Sequence, residues 1–380
     1  MELFEKRVLW FSVFRALALQ FNYQQFQLSW ALRWALAEHD DCTLKLHAES
    51  AGDLNLKVAV VGMGKMGLLH ASILNAIPEA ELAALCDKSF LIRKFLKKLF
   101  KEIAVVNSVD KLSRFDLDAV YITTPIALHY PIAKTIYTEN IAPNLFIEKT
   151  LASNFKESKE LCELAQNSGG VNMVGYMRRF AVTFQKAKNL LEEKAIGEIT
   201  SFKAYAYSSD FYGIEKGSKH GTSNIGVLRD LGCHAVDLAL WFLEELKVER
   251  AKVEPIVSRN VEDSAKVKFT ASNGVVGELD VSRCVGKYRM PAVGFLIKGS
   301  EGTISVNDDE LEMSLNSGKS CRWFRHDLHD TVEFWLGAPE YFREDNHFVK
   351  SVLHNGSAEP DFQKSAKVDR LIDEIKVKAG

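Results

Sequence analysis

The chain has no run of 18 or more apolar residues, so nothing in it reads as a bilayer-spanning segment. It also lacks a CxxC pair: Cys42, Cys86, Cys162, Cys233, Cys284 and Cys321 are scattered along it. Several lie in apolar stretches, which points to buried free thiols in a reducing compartment, the cytoplasm, and away from disulfides. Excess charge of either sign is missing. Forty-eight Lys and Arg against 50 Asp and Glu leave a formal charge of -2, so no global pull toward nucleic acid or an anionic membrane is expected. Internal repeats and low-complexity tracts are absent, and no glycine precedes Gly52. The short apolar run at residues 8–14 does not read as a signal peptide, because Arg15 interrupts it and Glu2 and Glu5 cancel Lys6 and Arg7.

What is present suits a globular, two-domain protein: 380 residues, 47% hydrophobic and 26% charged. Residues 1–52 stand apart. They hold Trp10, Trp30 and Trp34, and Phe4, Phe11, Phe14, Leu17 and Phe21 recur at helical spacing. Two helices are expected there, with an apolar face that must be buried on the main body or on another subunit. This extension therefore reads as a packing or oligomerisation appendage, and a homo-oligomer, dimer or tetramer, is expected.

From Leu56 the pattern becomes regular. Short apolar strands over residues 57–61, 81–86, 103–106, 118–123, 144–147 and 171–174 alternate with helices ending near 75 and spanning 91–101, 127–138 and 155–167. Such alternation implies right-handed crossovers and an α/β, doubly wound parallel sheet, a Rossmann domain over residues 53–175. After Tyr176 the pattern changes. A helix at 182–193, a strand at 200–208 and a helix at 231–245 precede two hairpins. Asn273-Gly274 separates strands 265–270 and 275–281; Glu301-Gly302 separates 293–298 and 303–306. Residues 176–380 thus read as an α+β domain with an open, mostly antiparallel sheet. A final helix at 366–378 is expected to pack back on the Rossmann domain.

The first strand runs into Gly62-Met63-Gly64-Lys65-Met66-Gly67 and then a helix. This is GxGxxG in its strand-turn-helix setting. Gly62 permits the tight turn, Gly64 lets the backbone approach a pyrophosphate, and Gly67 lets helix and strand pack closely. Lys65 and Met66 open the helix, whose free N–H groups and dipole face the phosphates. Asp87 follows the second strand about 20 residues on, where a carboxylate accepts hydrogen bonds from the adenosine ribose. A carboxylate there repels a 2′-phosphate, so NAD is expected over NADP, although Lys88 and Arg93 nearby keep NADP possible.

Three further segments join this loop: Thr123-Thr124-Pro125 with His129; Glu148-Lys149-Thr150; and Asp230-Leu231-Gly232-Cys233-His234 with Asp237. Together they resemble the glucose–fructose oxidoreductase, inositol dehydrogenase and rhizopine-catabolism family over about residues 56–378. That family carries Glu-Lys-Pro after the fifth strand, an Asp-x-x-x-His pair on a helix of the second domain, and often an aromatic-x-x-Arg segment, which Tyr176 to Arg179 matches. The resemblance implies a dehydrogenase in which Lys149, Asp230 and His234 are catalytic. It sets Thr123, Thr124, Pro125, His129, Glu148 and Lys149 against the cofactor. It places Arg179 with Lys149, Asp230 and His234 at the substrate.

The residues bear their own reading. Lys149 ends a parallel strand, on the edge where ligands sit in open α/β sheets, and an ammonium there can stabilise a developing alkoxide. Asp230 and His234, at i and i+4, would share a helical face. Such a pair either stabilises its helix or places a base beside an orienting carboxylate; the resemblance favours the second. Asp237, one turn on, reads as structural. Thr150 departs from the family, since a proline would restrict the lysine before it. His326 and His329 have HxxH spacing but no accompanying carboxylate or cysteine cluster, so no metal is expected.

The activity expected is reversible oxidation of a secondary alcohol on a sugar, cyclitol or related polyol. Redox-assisted glycoside cleavage with retained NAD and a non-catalytic dinucleotide sensor stand as alternatives. Specificity is expected in second-domain loops such as residues 208–224.

Overall fold

A computed structural model of the chain describes residues 55–217, 225–271, 273–288, 290–330 and 339–380. The helical extension expected over residues 1–52 lies outside the described residues, as does the 218–224 part of the loop expected to carry specificity.

Six short strands alternate with helices: β1 (Leu56–Val61), α1 (Lys65–Ala76), β2 (Ala80–Cys86), α2 (Phe90–Leu99), β3 (Ala104–Val106), β4 (Ala119–Ile122), α3 (His129–Thr138), β5 (Asn144–Glu148), α4 (Phe155–Ser168) and β6 (Asn172–Gly175). Val58, Ala59 and Val60 have no exposed surface, as strands covered on both faces require. All six pair in parallel in the order β3-β2-β1-β4-β5-β6. The order reverses between β1 and β4, which opens a ligand crevice beyond the carboxyl ends of those two strands.

The second half contains α5 (Val182–Glu192), β7 (Ile199–Tyr207), a π-helical turn (Leu228–Gly232) leading into α6 (Cys233–Leu243), strands β8 (Leu246–Glu254), β9 (Ser264–Ala271), β10 (Val276–Ser282), β11 (Ala292–Gly299), β12 (Gly302–Asn307), β13 (Glu310–Leu315) and β14 (Ser320–Phe324), and helices α7 (Pro339–Leu353) and α8 (Phe362–Ala379). Its eight strands are ordered β14-β13-β12-β11-β7-β10-β9-β8, antiparallel throughout except where β7 lies parallel to β10. Both expected hairpins are there, and Gly274 takes φ +83 in the first.

β8, β13, β14 and α7 were not anticipated. In β8 five of nine residues are charged, Glu249 and Arg250 side by side, which hides a strand within a polar run. The helix expected to reach residue 245 stops at Leu243, and Glu244 turns the chain at φ +65.

Core residues from both halves merge. Ile122, Ile147 and Leu161 belong to the same buried cluster as Phe184, Val236 and Phe295. α8 pins the two halves together. Asp369 accepts the Ala152 N–H (3.2 Å) and the Ser158 hydroxyl (2.6 Å), and Asp373 accepts the Phe155 N–H (2.8 Å). The same carboxylates receive Arg229 from the π turn, at 2.6 and 2.7 Å. No helix among the described residues is long and apolar enough to cross a membrane, and all five described cysteines are free.

Candidate active site

The glycine loop divides its labour as steric arguments demand. Gly62 sits at φ +94, and a Cβ there would lie 2.5 Å from Thr124 Cγ2. A Cβ on Gly67 would lie 2.0 Å from the Gly62 carbonyl oxygen. A Cβ on Gly64 would meet nothing within 4 Å, so no protein group forbids a side chain there. The open space lies at the start of α1, where Gly64 offers no side-chain cap and the first turn has no acid. A helix start left open and without acid suits a pyrophosphate, so the residues fit a dinucleotide. Thr123 braces the loop from β4, its hydroxyl donating to the Gly62 carbonyl at 2.7 Å.

Asp87 stands beside the same loop. Its Oδ2 accepts the Met63 N–H (2.8 Å) and its Oδ1 the Ser89 N–H (2.7 Å). Arg93 donates to the Asp87 and Lys88 carbonyls at 2.9 and 2.6 Å, so a cation waits one residue behind the carboxylate. Asp87→Ser is expected to raise the NADP-to-NAD ratio of kcat/KM by roughly tenfold, as a repelling charge leaves and Arg93 stays. Steady-state kinetics with both cofactors test this; a wild type that already prefers NADP would contradict the role given to Asp87.

Lys149 follows the last residue of β5, and Asp230 lies in the π turn before α6. The Lys149 ammonium donates to the Asp230 carbonyl at 2.6 Å and approaches its Oδ1 at 3.3 Å. Burial lowers the lysine pKa, but Cys233, Asp230 and Glu148 outweigh it and the net shift is upward. Because the Cys233 thiol is itself pushed to about 12, the carboxylates do this work at neutral pH. Lys149 is thus a cation, suited to holding an alkoxide and not to abstracting a proton.

His234, in the first turn of α6, is 7% exposed. Burial, followed by the charges of Arg178 and Lys149, holds its pKa well below 6.5. Its Nδ1 is buried and has no partner among the described residues.

The expected Asp230–His234 contact is absent. The wider π turn takes Asp230 out of the α-helical register that places i and i+4 together. Its carboxylate faces Lys149 and, at 3.6 Å, Arg283. The Asp230 carboxylate therefore pairs with the lysine and not with the histidine.

Arg179 also departs from expectation. It forms a buried two-pronged pair with Asp237, at 2.8 and 2.6 Å, and lies over the Trp241 ring. Its Nε and Nη2 are thus engaged by Asp237 inside the protein, while Nη1 lies 3.8 Å from Glu359. Arg178 is the arginine whose charge bears on His234; it is anchored by Asp308 at 2.8 Å and by the Pro291 carbonyl at 3.1 Å.

His129 has no exposed surface, and its ring spans the carbonyls of Thr150 (2.7 Å) and Thr124 (2.8 Å). It lies between the β4 and β5 loops, and as a neutral ring it donates to one of the two carbonyls. Burial holds its pKa below the usual value. Pro125 continues the β4 loop, its carbonyl accepting the Leu128 N–H at 2.8 Å.

Glu148 does not present its carboxylate to a cofactor either: Oε1 is 3.0 Å from His70 Nε2, and Oε2 accepts the Lys149 N–H at 3.0 Å. Sequence reasoning missed His70, whose only visible signal was an imidazole in an otherwise apolar helical stretch. His326 stacks on Phe324 and pairs with Asp327 at the surface.

A family model described as "Oxidoreductase family, NAD-binding Rossmann fold" matches residues 56–176, and one for the GFO/IDH/MocA C-terminal domain matches residues 184–305. The chain belongs to the GFO/IDH/MocA oxidoreductase family. Levoglucosan dehydrogenase of Pseudarthrobacter phenanthrenivorans is 25% identical, covering 84% of this chain and 95% of that protein. Myo-inositol 2-dehydrogenase of Thermotoga maritima is 25% identical over 70% of this chain and 74% of the relative. The fold matches the solved structure of a levoglucosan dehydrogenase in complex with NADH at a TM-score of 0.76, with 22% identity, covering 86% of this chain and 97% of that one. The Rossmann half of this GFO/IDH/MocA member is thus an NAD-binding domain.

Proposed function

We propose that this protein oxidises a secondary alcohol of a sugar, cyclitol or related polyol, NAD bound at the glycine loop accepting the hydride. The observation that carries the reading is a cationic Lys149 at the carboxyl end of β5, held on Asp230, whose charge bears on a buried His234 with a lowered pKa. His234 takes the hydroxyl proton as the C–O bond becomes C=O. Lys149 holds the oxygen while negative charge develops on it. Asp230, through its carbonyl and carboxylate, keeps the ammonium aimed. The likeness to a levoglucosan dehydrogenase and a myo-inositol 2-dehydrogenase supports the substrate class.

A panel of sugars, cyclitols and polyols with NAD or NADP, read by absorbance of the reduced cofactor, tests this. Accumulation of NADH with an intact carbon skeleton is expected. Glycoside cleavage without net cofactor reduction would replace the dehydrogenase by a redox-assisted hydrolase. Tight NAD binding with no turnover on any member would favour a sensor.

A further inference from the structure

A charged chain crosses the core behind Lys149. His70 lies on α1, the helix whose N-terminus faces the dinucleotide crevice, and has no exposed surface. Its Nδ1 lies 2.8 Å from Asp345 Oδ1 on α7, and its Nε2 lies 3.0 Å from Glu148 Oε1 at the end of β5. Glu148 uses its other oxygen to accept the Lys149 N–H at 3.0 Å. An imidazole between two carboxylates satisfies both only when both nitrogens carry protons. That arrangement leaves no lone pair for a metal ion.

Thr150 follows the lysine, so no proline ring stiffens the backbone there. Lys149 is instead held from both sides by histidines. His129 Nδ1 lies 2.7 Å from the Thr150 carbonyl after it, and Glu148, set by His70, accepts the N–H of Lys149 itself.

We propose that His70 is a positioning residue for Lys149: clamped between Asp345 and Glu148, it fixes the carboxylate that anchors the lysine backbone and so aims the ammonium. This rests on the assignment of Lys149 to the reaction. The groups facing the ring are Asp345, Glu344 and Tyr341 from α7, Glu148 and Phe146 from β5, and Tyr121 from β4. Burial lowers the His70 pKa, but Asp345 and Glu148 outweigh it and the net shift is well upward. Glu344, both of whose oxygens are buried without a partner among the described residues, has its pKa pushed well above the ordinary carboxylate range by burial and by the Glu148 charge. The working state is an imidazolium between two carboxylates.

Once His70 loses a proton, one nitrogen turns a lone pair on a carboxylate, and the grip on Glu148 is lost. Activity is then expected to fall on the alkaline side through the raised His70 pKa. Asp345→Asn preserves the shape of the acid but removes the charge that favours the imidazolium, so this limb should move to lower pH.

The test compares wild type, His70→Ala, Asp345→Asn and Lys149→Ala in NAD affinity by calorimetry, thermal melting and full pH–kcat profiles on a substrate the wild type turns over. Misplacement of a reacting group by about 1 Å costs on the order of 10²-fold. His70→Ala should therefore lose kcat by about that factor while NAD affinity stays near wild type. Asp345→Asn, the variant least disturbing to the fold, should keep activity at mildly acid pH and lose it earlier on the alkaline side. If Lys149→Ala is inactive but Asp345→Asn has the wild-type profile, the positioning role is wrong and the catalytic assignment survives. If Lys149→Ala is fully active, the assignment itself has failed, and this inference with it. A stoichiometric divalent metal in purified protein, needed for activity, would also overturn the role, because His70 would then hold an ion and not a proton.

Discussion

His234→Ala and Lys149→Ala are each expected to lower turnover by about 10²–10⁴-fold while NAD affinity stays near wild type. Both groups are needed more in the transition state than in the ground state, so kcat should fall further than binding. Neither lies at the glycine loop, and calorimetry with NAD would register any spread of damage to it. Asp230→Asn should cost less than Lys149→Ala, because its main-chain carbonyl, which makes the shorter 2.6 Å contact to the lysine, survives the change. The double mutant of Lys149 and His234 should lose less than the product of the single losses, since the two act on one oxygen and its proton.

The pH profile gives a separate reading. The base must be deprotonated, and burial with two nearby cations keeps the His234 pKa well below 6.5. Alcohol oxidation should therefore be on its plateau at neutral pH and decline only as pH falls below 6.5, through an apparent pKa of the cluster as a whole. An acid limb centred above 6.5, or full activity in either alanine variant, would remove His234 and Lys149 from these roles.

Gly64→Val should weaken dinucleotide binding by roughly 5–150-fold, the equivalent of the 1–3 kcal/mol typical of overpacking. The protein should still fold. Gly64 has extended backbone angles, φ -77 and ψ -158, which valine accepts, and its Cβ would meet no protein atom within 4 Å. Gly67→Val makes the contrast, because its Cβ would meet the Gly62 carbonyl oxygen at 2.0 Å. That variant should lose thermal stability as well as NAD. Wild-type NAD affinity in Gly64→Val would mean that the open space at the start of α1 is not where the pyrophosphate lies.

What the order of residues determined by itself was whatever depends on neighbours in the chain. Apolar runs alternating with helical periods specified the parallel sheet, because crossover connections leave one practical topology. GxGxxG after a strand specified the dinucleotide turn, because each glycine answers a local steric demand. The Asn273-Gly274 hairpin was legible for the same reason. Tertiary structure decided everything that turns on groups far apart in sequence. Arg178 and Arg179 are adjacent and chemically identical; only the approach of Asp237 to one and Asp308 to the other separates a structural arginine from the one whose charge reaches His234. A single π turn broke the i,i+4 logic that joined Asp230 to His234, and no periodicity in the chain announces it. Glu148 read as a cofactor contact until the fold brought His70, 78 residues away, against its carboxylate. A charge buried in the core must find its partner through space, and that pairing is set by how α1, β5 and α7 pack, not by spacing along the chain.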